Sequence, residues 1–222
     1  MIVSINIVVR NGGKYIRHCL DAILAQTYPH EFVELNILDN GSLDNTVGII
    51  ENFKFKILNS KFPKFNFIKS KLNLGMWPGQ EELLKHSSGK YILTMAVDVL
   101  LDKDFLANAV KRMETDGNIG ALEAKIYRYE ISNNKIQISK TIDTCGFKIF
   151  KSRRVINIGH GQEDNGQFNK YKEIFGVEGA APFFRREALE DIRIKGELID
   201  KDFFWYGDDL DLAWRMRRFG WK

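Results

Sequence analysis

The segment Tyr206-Gly207-Asp208-Asp209-Leu210-Asp211-Leu212-Ala213-Trp214-Arg215 carries three carboxylates within four positions. On a helix, Asp208, Asp211, Arg215 and Arg218 form one polar stripe, and Asp211 and Arg215 can pair at i,i+4. Acids in a first turn and arginines in a last turn suit the helix dipole, so these groups fit an ordinary helix start. Asp209 is different. Its i+3, i+4 and i+7 neighbours are Leu212, Ala213 and Met216, which puts it on the apolar side. A carboxylate there either caps the helix or faces a cleft, where burial and neighbouring Asp208 would tune it as a general base. A second acid, Asp98, ends the apolar run 91–97. It must be solvated, capped or metal-bound, because burying a bare carboxylate is costly. It is either a turn cap or a ligand for a hard divalent cation shared with a diphosphate.

These residues need elements to hold them. Residues 2–9 are apolar and β-branched, as in a strand buried on both faces. After Asn11-Gly12-Gly13, the spacing of Ile16, Cys19, Leu20, Ile23 and Leu24 predicts a helix. Strands are expected over 32–38, 65–69 and 91–97, and helices near 44–53, 78–86 and 104–114. Repeated strand–helix units predict a mainly parallel sheet flanked by helices, an α/β fold. Later come expected strands at 119–128, 134–142 and 146–156, with a turn at Asn133-Asn134. A polar loop spans 159–170, a short helix begins near Arg185, and another runs from Asp208 to Gly220.

In open parallel sheets, ligands bind at the carboxyl ends of the strands. Those ends carry Arg10-Asn11, Asp39-Asn40, Lys69 to Gly75, and Asp98. Two carboxylates, amide and cationic donors, and glycines together suit a nucleotide diphosphate. Taken singly, Asp39-Asn40-Gly41-Ser42 and Asn73-Leu74-Gly75 read as turns. The aromatics 203–206 read as core, or in part as a platform for a sugar ring. Arg185-Arg186 reads as a solvated face or as a reach towards a diphosphate. His160 has no partner at metal spacing and reads as a surface residue.

Composition narrows the field. With 222 residues, 44% of them hydrophobic, and a net charge of +4, the chain fits one folded unit and excludes disorder. Cys19 and Cys145, outside any CxxC or Cys/His cluster, exclude a disulfide scaffold and suit a reducing compartment. No run approaches the roughly 18 apolar residues of a membrane span. The start, MIVSINIVVRNGG, lacks a signal-peptide pattern. There is no GxGxxG at the first strand end and no GxxxxGK[ST], which argues against dinucleotide and P-loop enzymes.

Six stretches together resemble the family 2 inverting glycosyltransferases of the GT-A fold, and within them the bacterial rhamnosyltransferase-type enzymes. They are VSINIVVRNGGKYIRHCLDAILAQTYP, LNILDNGSLDNT, NLG, YILTMAVDVLLDKDFL, FGVEGAAPFFRREAL and FFWYGDDLDLAWRMRRFGWK, in order from Val3 to Lys222. The resemblance implies a nucleotide-sugar-binding half over 1–100 and an acceptor and catalytic half over 101–222. It implies that Val9, Arg10, Asn11, Asp39, Asn73 and Gly75 line the donor pocket. It implies that Asp98 holds Mg2+ or Mn2+ against the diphosphate, and that Asp209, beside Asp208, deprotonates the acceptor hydroxyl. The implied partners are a nucleoside-diphosphate sugar and a glycan or lipid-linked acceptor, with no nucleic acid. The implied place is the cytoplasm, with peripheral membrane contact if the acceptor is lipid-linked.

Two departures qualify the resemblance. The carboxylate usual two residues before Asp98 is Ala96, and family members generally continue past the equivalent of Lys222, so either a C-terminally truncated domain or a metal site completed by other groups is expected. Both departures favour a rival reading, a glycosyltransferase-like module that binds a nucleotide sugar or partner without turnover. A nucleotidyltransferase would need a longer glycine-rich signature than Asn11-Gly12-Gly13.

Overall fold

Three asparagines set the register of the central sheet. A computed structural model describes residues 2–133, 135–170, 173–200 and 207–222. In it, β1 (Val3–Val9), β2 (Val33–Asn40) and β3 (Lys64–Ser70) run parallel, with Asn6, Asn36 and Asn66 level with one another. Asn36 donates to Asn6 Oδ1 at 2.9 Å, and Asn66 donates to Asn36 Oδ1 at 2.6 Å. A one-residue slip would break this ladder and turn the apolar side chains to the wrong face. The same register brings Val9, Asp39 and Lys69 level at the carboxyl ends of their strands.

Helices cover both faces. Val3, Ile5, Ile7 and Val9 of β1 pack in one cluster with α1 (Ile16–Leu24), α2 (Thr46–Asn59) and, further along, α4 (Phe105–Glu114). Val8 and Leu38 meet Leu83 of α3 (Met76–Leu84) in a separate cluster. Both β1 and β2 are buried along their whole length, β2 with Glu34, Asn36, Asp39 and Asn40 buried among its apolar residues. The fourth strand, β4 (Tyr91–Met95), pairs with β1 in parallel and is shorter than the apolar run 91–97. The chain turns at Ala96, where the Val99 N–H donates to the Ala96 carbonyl, so Asp98 stands beyond the sheet in a turn.

The second half departs from the expected strands in two places. The run 119–128 divides into β5 (Ala121–Leu122) and the start of β6 (Ile126–Ser132), which pairs with β7 (Lys135–Thr144) in a separate hairpin. The run 146–156 is itself a hairpin, β8 (Phe147–Ile149) with β9 (Val155–Asn157), reversing at Arg153, whose φ is 65°. A further strand, β10 (Phe183–Arg185), enters the main sheet antiparallel between β4 and β5, just ahead of α5 (Arg186–Asp191). The central order is β3-β2-β1-β4-β10-β5. The last helix is α6 (Asp208–Arg218), which packs Leu212 and Met216 against Ile92 and Phe184. Among the described residues, no helix is long and apolar enough to cross a membrane.

Arg185 and Arg186 serve this architecture rather than a solvated face or a diphosphate. Arg185 is buried, with its guanidinium donating to the carbonyls of Ile119 (2.8 Å), Met113 (2.8 Å) and Asp116 (3.2 Å). It thereby satisfies the end of α4, whose carbonyls lack helical partners. Arg186 Nε donates to the Gly89 carbonyl at 2.6 Å. Arg185→Leu should therefore lower stability by about 3 kcal/mol through stranded buried carbonyls, read as a fall in the urea midpoint with an unchanged m value. An unchanged midpoint would contradict this bracing role.

Candidate functional site

Three loops at the carboxyl ends of the strands are laced together. Asn11 takes a positive φ of 52° after β1, a conformation that asparagine tolerates well. Its N–H donates to Ser42 Oγ at 2.9 Å, while its Oδ1 accepts from the Leu43 N–H at 2.8 Å. The Gly13 N–H donates to Asp44 Oδ2 at 2.9 Å, so the first and second loops are joined at three points. Gly12 is required by crowding, since a Cβ there would lie 2.5 Å from Val9 Cγ2 and 3.1 Å from Val97 Cγ2. The third loop is tied in by Asn40, which donates to Asn73 Oδ1 at 2.9 Å and to the Gly75 carbonyl at 3.0 Å. Asn40 also accepts from the Leu74 N–H at 2.8 Å.

Val9, Asn11, Asp39, Asn73 and Gly75 therefore share one ledge. Asp39 is buried, and among the described residues its two carboxylate oxygens accept only from the Ser42 N–H, at 3.3 Å each, which leaves lone pairs to spare. Arg10 is exposed beside it. Lys69 is level with Asp39 but is engaged by Glu51 in an ion pair, which removes it from the basic groups expected near a diphosphate.

Asp98 faces a cavity of about 350 Å3 walled by Lys14, Tyr15, Tyr129, Glu130 and Ile131. One wall is the start of α1 and the other is the β6–β7 hairpin. Tyr129 donates its hydroxyl to the Asp98 carbonyl at 2.6 Å. Burial, with the charge of Asp98 beside it, pushes the Tyr129 phenol up to about 12, so it stays a donor. The divalent cation implied by the resemblance meets a sparse donor set here. Among the described residues, no group of three or more His, Cys, Asp or Glu is placed to hold a metal ion. One hard carboxylate fits a cation that arrives with a diphosphate and takes its other ligands from phosphate and water.

Asp209 sits in a group of acids. Gly207, at φ 90°, turns the chain into α6, and Asp209 occupies the first turn, half-buried. Leu212, Ala213 and Met216 are buried below it, as the helical spacing predicts. Burial raises the Asp209 pKa and the charge of Asp208 adds to the rise, while the N–H groups of Leu210 and Gly179 act as donors and oppose it. The remainder of the expected polar stripe is split. Asp211 and Arg215 form their i,i+4 ion pair, but Arg215 is buried and reaches the Leu198 carbonyl at 3.1 Å. The aromatics 203–206 lie outside the described residues, as does Asn134 of the expected Asn133-Asn134 turn.

Two further acids join Asp209 that sequence reasoning did not single out. Glu178 precedes Gly179-Ala180-Ala181, and its Oε2 accepts from the Ala180 N–H at 3.0 Å. Burial raises its pKa, and the charges of Asp209, Asp143 and Asp98 raise it further against the pull of that N–H. Glu123 accepts a hydrogen bond from the Glu178 N–H. Burial pushes the Glu123 carboxyl well above the usual range; the Glu178 N–H pulls the other way, and the charges of Glu178 and Asp209 add to the rise. A carboxylate within the otherwise apolar alternation Ala121-Leu122-Glu123-Ala124 was the available signal. His160 is exposed, with Nδ1 2.8 Å from the Asp143 carbonyl, in keeping with a surface residue.

Residues 4–193 match the Glycosyl transferase family 2 profile. The chain is 23% identical over 212 residues, 96% of its length, to a poly-beta-1,6-N-acetyl-D-glucosamine synthase of Staphylococcus epidermidis, and covers 45% of that protein. It is 30% identical over 128 residues, 55% of its length, to a poly(ribitol-phosphate) beta-glucosyltransferase of Bacillus spizizenii, covering 19% of it. The chain thus spans less than half the length of these curated relatives. Its fold matches that of the mannosyltransferase PcManGT from Pyrobaculum calidifontis, solved with GDP-Man and Mn2+. The TM-score is 0.68 at 19% identity, over 99% of this chain and 53% of the other. The architecture is that of the GT-A fold: mixed α/β with a mainly parallel sheet.

Proposed function

Because this chain belongs to glycosyl transferase family 2, we propose that it moves a sugar, with inversion, from a nucleoside diphosphate to a hydroxyl of a glycan or lipid-linked acceptor. The observation that carries the reading is Asp209, a half-buried carboxylate with a raised pKa, held by the Gly179 N–H in a turn tied to the Asp98 segment. That tie is the hydrogen bond from the Ala96 N–H to the Ala180 carbonyl, at 2.8 Å. The ledge of Val9, Arg10, Asn11, Asp39, Asn73 and Gly75 takes the nucleotide, with Asp39 accepting from base or ribose. Asp209 accepts the hydroxyl proton as the acceptor oxygen bonds to the anomeric carbon, and the bond from that carbon to the diphosphate breaks. Asp208 keeps the Asp209 pKa raised. Mg2+ or Mn2+, when bound at Asp98 with the diphosphate, supplies charge stabilisation for the leaving group.

On this reading residues 1–100 form the donor half and 101–222 the acceptor half. The rhamnosyltransferase-like motifs make rhamnose a candidate sugar beside the N-acetylglucosamine, glucose and mannose named for the relatives. The expected setting is the cytoplasm, with peripheral membrane contact for a lipid-linked acceptor and no nucleic-acid partner.

Ala96 and the single carboxylate at Asp98 favour a second reading, a module that binds a nucleotide sugar without consuming it. A panel of UDP-, GDP- and dTDP-sugars, with and without Mn2+, separates the two. The first reading expects one donor to raise Tm by several degrees and to be consumed when acceptor is supplied. A donor that stabilises the chain but is never consumed supports the second. No stabilisation by any donor rejects both.

A further inference from the structure

Three consecutive backbone N–H groups, those of Glu178, Gly179 and Ala180, each face a different carboxylate. The Glu178 N–H donates to Glu123 Oε2, the Gly179 N–H acts on Asp209, and the Ala180 N–H donates to Glu178 Oε2 at 3.0 Å. The acids come from three places: the link after β5, the turn itself, and the first turn of α6. The turn is anchored on its far side by the main sheet, through the Ala96–Ala180 hydrogen bond and a second from the Thr94 N–H to the Pro182 carbonyl, at 3.2 Å. On its near side, at residue 178, the backbone N–H is held by Glu123.

We propose that Glu123 is a positioning residue for Asp209: by holding the Glu178 N–H it fixes the turn whose next N–H orients the Asp209 carboxylate. The inference rests on the reading of Asp209 as the base. The link is short. The Gly179 N–H that acts on Asp209 belongs to the 178–179 peptide, one residue after the N–H that Glu123 holds, so a shift of the turn at 178 moves the donor facing Asp209. Glu123 is also an expensive way merely to fill space. Its Oε1 is buried with no hydrogen-bond partner among the described residues, a cost that an apolar side chain would avoid. It further walls a second cavity of about 510 Å3, with Lys125 and Cys145, so a shorter side chain there enlarges an existing space rather than opening a new one.

The test uses the full chain and reads nucleoside diphosphate release from the UDP-, GDP- or dTDP-sugar that it consumes. Glu123→Ala should lower kcat about ten- to a hundredfold with donor KM unchanged, as expected for a base moved by a fraction of an ångström. Glu123→Gln, which keeps an acceptor for the Glu178 N–H, should restore most of that loss. Glu123→Ser serves in place of the alanine variant if that chain does not fold. In the Asp209→Asn background, Glu123→Ala should cost nothing further, because two residues acting through one step do not add. An unchanged kcat in Glu123→Ala, equal impairment in Glu123→Gln, or a further loss in the double variant overturns the proposal. Failure of the parent reading looks different: Asp209→Asn alone then turns over at the original rate.

Discussion

Asp209→Asn is expected to lower kcat about a thousandfold while leaving donor affinity within about twofold. The carboxylate and the amide are nearly the same size, so the helix start and the packing of Leu212 and Met216 survive the change. What is lost, on the proposed reading, is the basicity of the carboxylate that takes the acceptor proton, since an amide oxygen keeps its lone pairs but is too weak a base. Isothermal titration with the donor, set beside the turnover rate, checks both halves of the expectation. A variant that turns over normally removes Asp209 from the chemistry. A variant that fails to bind donor makes it a structural residue.

On the same reading, Asp209 also sets the pH dependence. Burial and then the charge of Asp208 raise the Asp209 pKa, so the base is lost by protonation at a higher pH than for a free carboxylate. The kcat should therefore fall on acidification, with an acid limb displaced upwards from the ordinary aspartate range. Asp208→Asn removes a like charge and should move that limb to lower pH. A limb that stays where it was separates Asp208 from the titration.

The second large effect is expected at Asp98. Asp98→Ala should weaken donor binding in Mn2+ by about a hundredfold and leave the weaker cation-free binding as it was. The direction follows from the donor set: with Ala96 in place of an acid, removing the lone carboxylate leaves the diphosphate alone to hold the ion. The complementary change, Ala96→Asp, should let the chain bind Mn2+ without nucleotide, because it adds a second carboxylate two residues from Asp98. Titration of Mn2+ into each variant, with and without donor, reads both outcomes. Equal cation dependence in Asp98→Ala and the parent chain takes the cation away from this position.

Much of the first half could be read from the sequence because its signals are local. The uninterrupted β-branched run at 3–9 and the spacing of Ile16, Cys19, Leu20 and Ile23 each specify one element without reference to the rest of the chain. The face of α6 that carries Asp209 followed from three residue positions. What was missed depends on distant partners. β10 has only three residues, and it is a strand because β4 and β5 leave it a place between them. Arg185 looks like any surface arginine until the end of α4 arrives beneath it. Lys69 ends a strand as expected, yet Glu51 on the neighbouring helix takes its charge. Glu123 and Glu178 are 55 residues apart, and only the closed fold makes them one hydrogen-bonded unit.

The lacing of Asn11, Ser42, Leu43, Asp44 and Gly13 bears on the thermodynamics of the proposed donor site. Loops that become ordered only in the complex give up backbone and rotamer freedom at that moment, at about 0.5–1.5 kcal/mol for each immobilised side chain. Here the first two loops already hold each other, and Asn40 holds the third, so that loss was incurred when the chain folded. A nucleotide settling on this ledge meets a rigid receptor, and discrimination between bases then falls to shape and hydrogen-bond fit rather than to the adaptability of the loops.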